Sequence, residues 1–146
     1  MKVFHRLADL RRERLPLYLA AGFFDGVHRG HRQVVRRVLA AARRGGGAAW
    51  VMTFDTHPLK VLCPRAAPAL LTSTPHKLRQ LRALGLDGVV VIPFTRALAR
   101  LAPAAFVARL ARCAPRLRAL VIGRDWSFGR GGSGNPELLQ RLAPDR

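Results

Sequence analysis

The sequence predicts an α/β protein with a mainly parallel sheet and helices on both faces. Three observations predict it. Short, bounded apolar runs recur at 15–24, 48–54, 89–94 and 117–122, each of strand length. Amphipathic segments of helix length lie between them, so strands and helices alternate. The polar, glycine-bearing stretches Asp25–His31, Asp55–Pro58 and Gly123–Gly134 all follow strands. In such sheets ligands bind beyond the carboxyl ends of the strands, where the strand order reverses. The three loops are therefore expected to gather on one edge.

Each element has its own signal. Residues 1–14 read as a polar lead-in. Leu15–Phe24 is the first expected strand. From Arg29 the residues Val34, Val35, Val38, Leu39 and Ala42 share one helical face, and Gly45-Gly46-Gly47 stops that helix. Ala48–Phe54 is apolar throughout, as a strand covered on both faces should be. Residues 59–72 form a loop punctuated by Pro64 and Pro68. Thr74-Pro75 opens a helix striped by Leu78, Leu81 and Leu84 and ended by Gly85. Val89–Phe94 is the third strand, 95–101 and Pro103–Cys113 are helical, and Leu117–Ile122 is the fourth strand. After a glycine-rich loop, Asn135-Pro136-Glu137 caps a last short helix.

Composition narrows the function classes. A chain of 146 residues with 49% hydrophobic content is expected to be one folded domain, 1–146. The net charge of +18 comes almost wholly from arginine, since only Lys2, Lys60 and Lys77 are lysines. The arginines are scattered, with no aromatic-interleaved patch, which argues against a nucleic-acid interface. The charge would still attract phosphate-bearing ligands. Two distant cysteines, Cys63 and Cys113, make neither a disulfide framework nor a zinc site. No apolar run reaches the ~18 residues of a membrane span. The apolar run at 15–24 imitates a secretory signal, but Asp9, Glu13 and Pro16 interrupt the pattern. A reduced, cytoplasmic protein is expected.

The chemistry concentrates in Leu17–Val34, where an apolar strand runs into Gly22-Phe23-Phe24-Asp25-Gly26-Val27-His28-Arg29-Gly30-His31 and then a helix. The free N–H groups of that helix's first turn favour a phosphate. His28 and His31 sit on the turn. Two imidazoles there can donate hydrogen bonds to oxygens that gain charge during phosphoryl transfer. Gly30 between them leaves room for a nucleotide against the backbone.

This stretch resembles the nucleotidylyltransferase signature in the form found in bacterial FAD synthetases. Further segments follow in step. Thr53–Pro58 is similar to the family's Thr-Phe-x-Pro-His-Pro, while Leu71–Lys77, Pro93–Thr95 and Pro103–Phe106 resemble later segments. Val121–Gly129 resembles the stretch after the fourth strand. The resemblance implies a Rossmann-like nucleotidylyltransferase fold. It also implies transfer of AMP from ATP to FMN, giving FAD and pyrophosphate, with Mg²⁺ carried by ATP and no metal held by protein ligands alone. His28 and His31 would be catalytic. ATP would meet Gly22, Phe23, Phe24, Asp25, Gly26, His28, Gly30, His31, Gly123 and Asp125, with Asp25 either in reach of a phosphate-bound metal or a ribose, or a loop carboxylate bonding nearby N–H groups. Phe54, His57, Pro58 and Phe128 would lie on the flavin side.

Departures from the family pattern also shape the expectation. The superfamily's second signature, Ser/Thr-Ser/Thr-x-x-Ile/Val-Arg, is absent up to Arg146, and Thr72-Ser73-Thr74-Pro75 imitates it only weakly. The riboflavin kinase module that usually follows does not appear. The expectation is an incomplete FMN adenylyltransferase module with reduced or absent turnover on its own. The alternatives are another adenylyl- or cytidylyltransferase of the superfamily, or a non-catalytic fragment that binds nucleotide or nucleic acid.

Overall fold

The computed structural model describes residues 1–143. The final residues of the expected domain, 144–146, lie outside the described residues. The five strands are β1 (Lys2–Phe4), β2 (Leu17–Ala21), β3 (Ala48–Phe54), β4 (Gly88–Ile92) and β5 (Leu117–Ile122). The helices are α1 (Arg29–Gly45), α2 (Pro58–Leu62), α3 (Thr74–Ala83), α4 (Arg96–Ala99), α5 (Pro103–Cys113) and α6 (Pro136–Leu142). The sheet order is β1-β4-β3-β2-β5, and every neighbouring pair is parallel. From β2 the chain moves one way through β3 to β4, then returns to place β5 on the other side of β2. The order thus reverses between β2 and β5, where a crevice opens in folds of this kind.

Alternation along the strands divides the core into two layers. On one face Leu19, Trp50, Met52, Val90 and Ile92 pack with Phe106 and Leu110 of α5. On the other Ala20, Val51, Val89 and Val91 meet Val34, Val35 and Val38 of α1 and Leu81 of α3. Helix α1 ends on Gly46 at φ 62°, the left-handed conformation, and its N–H returns to the carbonyls of Ala42 and Arg43. That hydrogen-bonded stop sets the start of β3 two residues later.

The structure corrects several expectations. Residues 1–14 are more ordered than a polar lead-in. Lys2–Phe4 forms an edge strand on β4, and a 3-10 turn at Leu7–Arg12 buries Leu7 and Leu10. Three residues are too few for a periodicity to show. Glu13 completes the anchor. It is 5% exposed, accepts the indole N–H of Trp50 at 2.9 Å, and accepts the backbone N–H groups of Arg14 and Leu15. The first sequence-predicted strand is shorter than 15–24. Leu15 is exposed, Pro16 precedes the pairing, and the chain leaves the sheet after Ala21. The 59–72 loop contains the short helix α2 and a 3-10 turn at Pro64–Ala66. The third strand spans 88–92 rather than 89–94, and the helix expected over 95–101 is confined to Arg96–Ala99.

Candidate active site

The loop after β2 turns sharply. Phe24 (φ 58°), Gly26 (φ 74°) and Val27 (φ 43°) all lie in the left-handed region. This is costly for a β-branched valine and for a phenylalanine, and such strain persists only where the surroundings impose it. Two buried side chains help impose it, since Phe24 and Val27 are each 1% exposed in the layer against α1. Asp25 ties the loop from outside. Its carboxylate accepts the N–H of Leu71 at 2.9 Å, the N–H of Thr72 at 2.9 Å and the Thr72 hydroxyl at 3.0 Å. Thr72 Oγ1 in turn accepts the N–H of Gly26 at 3.2 Å. Burial works against the charge on Asp25, but these donors, helped by Lys77, outweigh it and hold the carboxyl below its ordinary value.

The loop delivers His28 as the N-cap of α1. Its Nδ1 accepts the N–H groups of Gly30 (3.1 Å) and His31 (3.4 Å). A ring nitrogen that accepts cannot carry the proton, so the proton sits on Nε2 and the ring presents one N–H outward. A Cβ on Gly30 would stand 3.1 Å from His28 Cε1, so the glycine makes room for the cap itself. His31 stacks on His28 with ring centres 3.5 Å apart and planes 20° from parallel, and the Phe24 ring meets it edge-on. Burial, with His28 and Lys77 beside it, pushes His31 down to about 4, so it is neutral at pH 7. Its Nδ1 is buried with no hydrogen-bond partner, which leaves Nε2 as the nitrogen open to a ligand.

Two cavities open on the carboxyl edge of the sheet. The first, about 670 Å³, runs from the α1 N-terminus to the end of β5. Gly22, Phe23, Phe24, His28, Gly30, His31, Gly123 and Asp125 line it. Asp25 and Gly26 are not among its lining residues. They are spent on the contacts with Thr72. The second cavity, about 560 Å³, is lined by Phe54, His57, Pro58 and Phe128, with Phe94 and Phe106 at its base. Phe23, Asp125 and Trp126 belong to both cavities and form the wall where they meet. All three loops singled out in the sequence are brought together here. His57 repeats the His28 device: its Nδ1 accepts the N–H of Leu59 at 3.0 Å and caps α2. Trp126 stacks on Phe128 at 5.2 Å, and Phe54 meets Phe94 edge-on.

Sequence reasoning missed three contributors. Arg37 of α1 and Arg124 after β5 line the first cavity and add positive charge to it. Arg37 could have been found, because it lies on the helix face of Gly30 and Val34. Lys77 is 3% exposed and donates to the carbonyls of Phe23 (3.0 Å) and Phe54 (3.1 Å) and to the Thr53 hydroxyl (3.1 Å). No local signal reveals this, because its partners are 23 to 54 residues away. Thr72 and Ser73 are used otherwise than in a phosphate-gripping signature: Thr72 holds Asp25, and Ser73 caps α3. No group of three potential metal ligands occurs among the described residues. Both cysteines are free, and no described helix is long and apolar enough to cross a membrane.

A parallel sheet whose order reverses beside a helix N-terminus, with His28 capping that helix and His31 in its first turn, defines a Rossmann-like α/β protein. The sequence model of the FAD synthetase family matches residues 11–145, and the chain belongs to that family. It is 37% identical over 123 residues to the bifunctional riboflavin kinase/FMN adenylyltransferase of Escherichia coli (strain K12), covering 84% of this chain and 39% of that protein. It is 36% identical over 129 residues to the enzyme of the same name from Listeria monocytogenes, covering 88% of this chain and 41% of that one. The chain thus spans about two-fifths of the length of these relatives. Among solved structures, one described as a macrolide-efflux protein from Streptococcus pneumoniae superimposes with a TM-score of 0.82. The match covers 97% of this chain and 48% of that one, and at 23% identity it is a likeness of fold.

Proposed function

We propose that this chain is a single FMN adenylyltransferase domain that joins FMN to the AMP portion of ATP. The observation that carries the reading is the shared wall of Phe23, Asp125 and Trp126. On one side of it lies a helix start, whose free N–H groups favour phosphate, and on the other an aromatic cleft, which supports two ligands meeting end to end. ATP lies in the first cavity with its phosphates at the α1 N-terminus. FMN lies in the second with its ring among Phe54, His57, Pro58 and Phe128. A phosphate oxygen of FMN attacks the α-phosphorus, the new P–O bond forms, and the bond to the β-phosphate breaks. Pyrophosphate leaves with the electron pair. No protein nucleophile takes part, so catalysis rests on alignment and charge stabilisation.

The residues have distinct tasks in this reading. The Nε2–H groups of His28 and His31 donate to the oxygens that gain charge, and His31, neutral at pH 7, supplies its hydrogen bond without a proton-transfer step. The α1 N–H groups, Arg37 and Arg124 favour the anionic ligands. Magnesium bound with the triphosphate would neutralise developing charge. Asp125, exposed at the junction, would be available to help hold it, in keeping with an ion held by phosphates and one or two carboxylates. Asp25 is not, because both its oxygens are engaged.

The test is FAD formation from FMN, ATP and Mg²⁺ by the purified chain, followed by chromatography, with His31→Ala as the control. FAD from the wild type and its loss in the control are expected. FMN binding with no FAD formed under any magnesium concentration would refute the transferase reading. Turnover of CTP in place of ATP would reassign the substrate class.

A further inference from the structure

Lys77 is buried, yet no carboxylate forms an ion pair with it among the described residues. Its three donors go to three neutral oxygens: the Phe23 carbonyl, the Thr53 hydroxyl and the Phe54 carbonyl. The Thr53 hydroxyl donates to the same Phe23 carbonyl at 2.7 Å, which closes the network. Burying an ammonium without a counter-ion costs stability, and an apolar side chain could fill the space more cheaply. In a chain with only three lysines among 26 basic residues, one stands here. The geometry suits lysine and not arginine. A compact ammonium directs three donors to a tripod of oxygens, whereas a guanidinium offers a planar fork.

What the tripod joins is informative. Phe23 and Phe24 belong to the loop that delivers His28, and Thr53 and Phe54 end β3 at the aromatic cavity. The Phe23 ring has Lys77 Nζ 4.4 Å from its centre and His57 edge-on at 5.0 Å. We propose that Lys77 is a positioning residue for adenylyl transfer: it fixes the Phe23 wall, and with it the alignment of the two ligands that meet there. This rests on the FMN adenylyltransferase reading above. The clamp is also sensitive to charge. The groups that act electrostatically on Lys77 are Asp25 after β2 and Asp55 after β3, and Lys77 itself bears on His31 of α1. Burial lowers Lys77 to about 8 against the opposing pull of the two carboxylates. The neutral amine has two N–H groups for three acceptors, so one leg of the tripod is lost as pH rises through that value.

The experiment compares wild type, Lys77→Met and Lys77→Arg. It measures kcat from pH 6.5 to 9.5, separate affinities for ATP and FMN, and thermal stability. Both substrates' phosphates are fully ionised over the upper part of this range, so they add no alkaline limb. Wild-type kcat is expected to fall as pH rises through about 8. Lys77→Met is expected to lose on the order of 10²-fold in kcat at pH 7 and to lack the alkaline limb, while binding each ligand separately with little change. Lys77→Arg, which keeps a charge that does not titrate, is expected to stay folded without regaining kcat. A folded Lys77→Met with wild-type kcat, or a wild type whose kcat does not fall up to pH 9.5, overturns the proposal.

A second readout does not depend on turnover. The backbone amides of Phe24 and Asp55, which follow the two bonded carbonyls, are expected to titrate together in wild-type NMR spectra with a midpoint near 8. Absence of that shared titration overturns the proposal even if the wild type makes no FAD. Failure to make FAD with the titration present would count against the transferase reading instead.

Discussion

The imidazole of His31 stacks on that of His28, 3.5 Å between ring centres and 20° from parallel, and His28 accepts the N–H of His31 at its own Nδ1. Two cationic rings could not hold this arrangement, because like charges at that separation repel and the capping lone pair would be gone. Burial, with His28 beside it, holds His31 neutral at pH 7. Removing either ring by His28→Ala or His31→Ala is expected to lower kcat by roughly 10²- to 10³-fold, the usual scale for losing one donor to a developing charge. His28→Ala should also weaken α1 by about 1 kcal/mol through the lost cap. Steady-state FAD formation and urea melts separate the two effects.

Acid should destabilise the fold through His31. Its folded value lies near 4, below the ordinary 6.5, so the unfolded chain binds the proton more readily. Stability is therefore complete above pH 6.5 and falls as pH drops from 6.5 towards 4. Discounted for partial exposure, the loss is about 1–2 kcal/mol. Urea melts across this range are expected to show a flatter dependence for His31→Gln. An unchanged slope would contradict a neutral His31.

Asp25→Asn should loosen the loop rather than unfold the protein. The amide keeps one acceptor oxygen and turns an NH₂ towards the N–H donor of either Leu71 or Thr72. A local cost of about 1–3 kcal/mol is expected, read as faster amide exchange and proteolysis within 59–72. Binding of ATP should weaken indirectly, through a less ordered His28.

At the far end of the sheet, Glu13→Ala leaves the Trp50 indole N–H and two backbone N–H groups without their acceptor. The melting temperature should drop by several degrees, for a cost of about 2–3 kcal/mol, with substrate affinities intact. Glu13→Gln keeps acceptor capacity and should lose much less.

The aromatic cleft gives an optical test. Trp126 stacks on Phe128 and lines both cavities, whereas Trp50 is fully buried away from them. FMN should quench the emission of Trp126, and Trp126→Phe should abolish most of that change. Phe128→Ala should weaken FMN affinity by about 10-fold or more, the scale of one lost aromatic contact, while leaving ATP affinity nearly unchanged.

Much of this was legible in the sequence because the signals are local. β3, β5 and α5 have the bounds that their apolar runs and Pro103 announce. The histidine turn was legible because glycine spacing and helix periodicity meet there. What stayed hidden depends on distant partners. The strand at Lys2–Phe4 exists because β4 offers it an edge, and Glu13 looks like an ordinary surface acid until Trp50 is placed beside it. For Asp25 the sequence left a ligand role and a loop-bonding role open. The structure shows the bonds to Leu71 and Thr72, which lie 46 and 47 residues along the chain.

That separation bears on the order of assembly. During synthesis the glycine-and-histidine turn leaves the ribosome well before Thr72 and Lys77, which bind it. Until they arrive, only the burial of Phe24 and Val27 against α1 opposes their backbone strain, without the Asp25 bonds to Leu71 and Thr72, and the turn should sample more of the conformations that phenylalanine and valine prefer. The first cavity is then a late product of folding, formed when α3 docks across the sheet. A nascent chain halted before residue 72 would carry the whole motif without its shape, and so would bind nucleotide poorly.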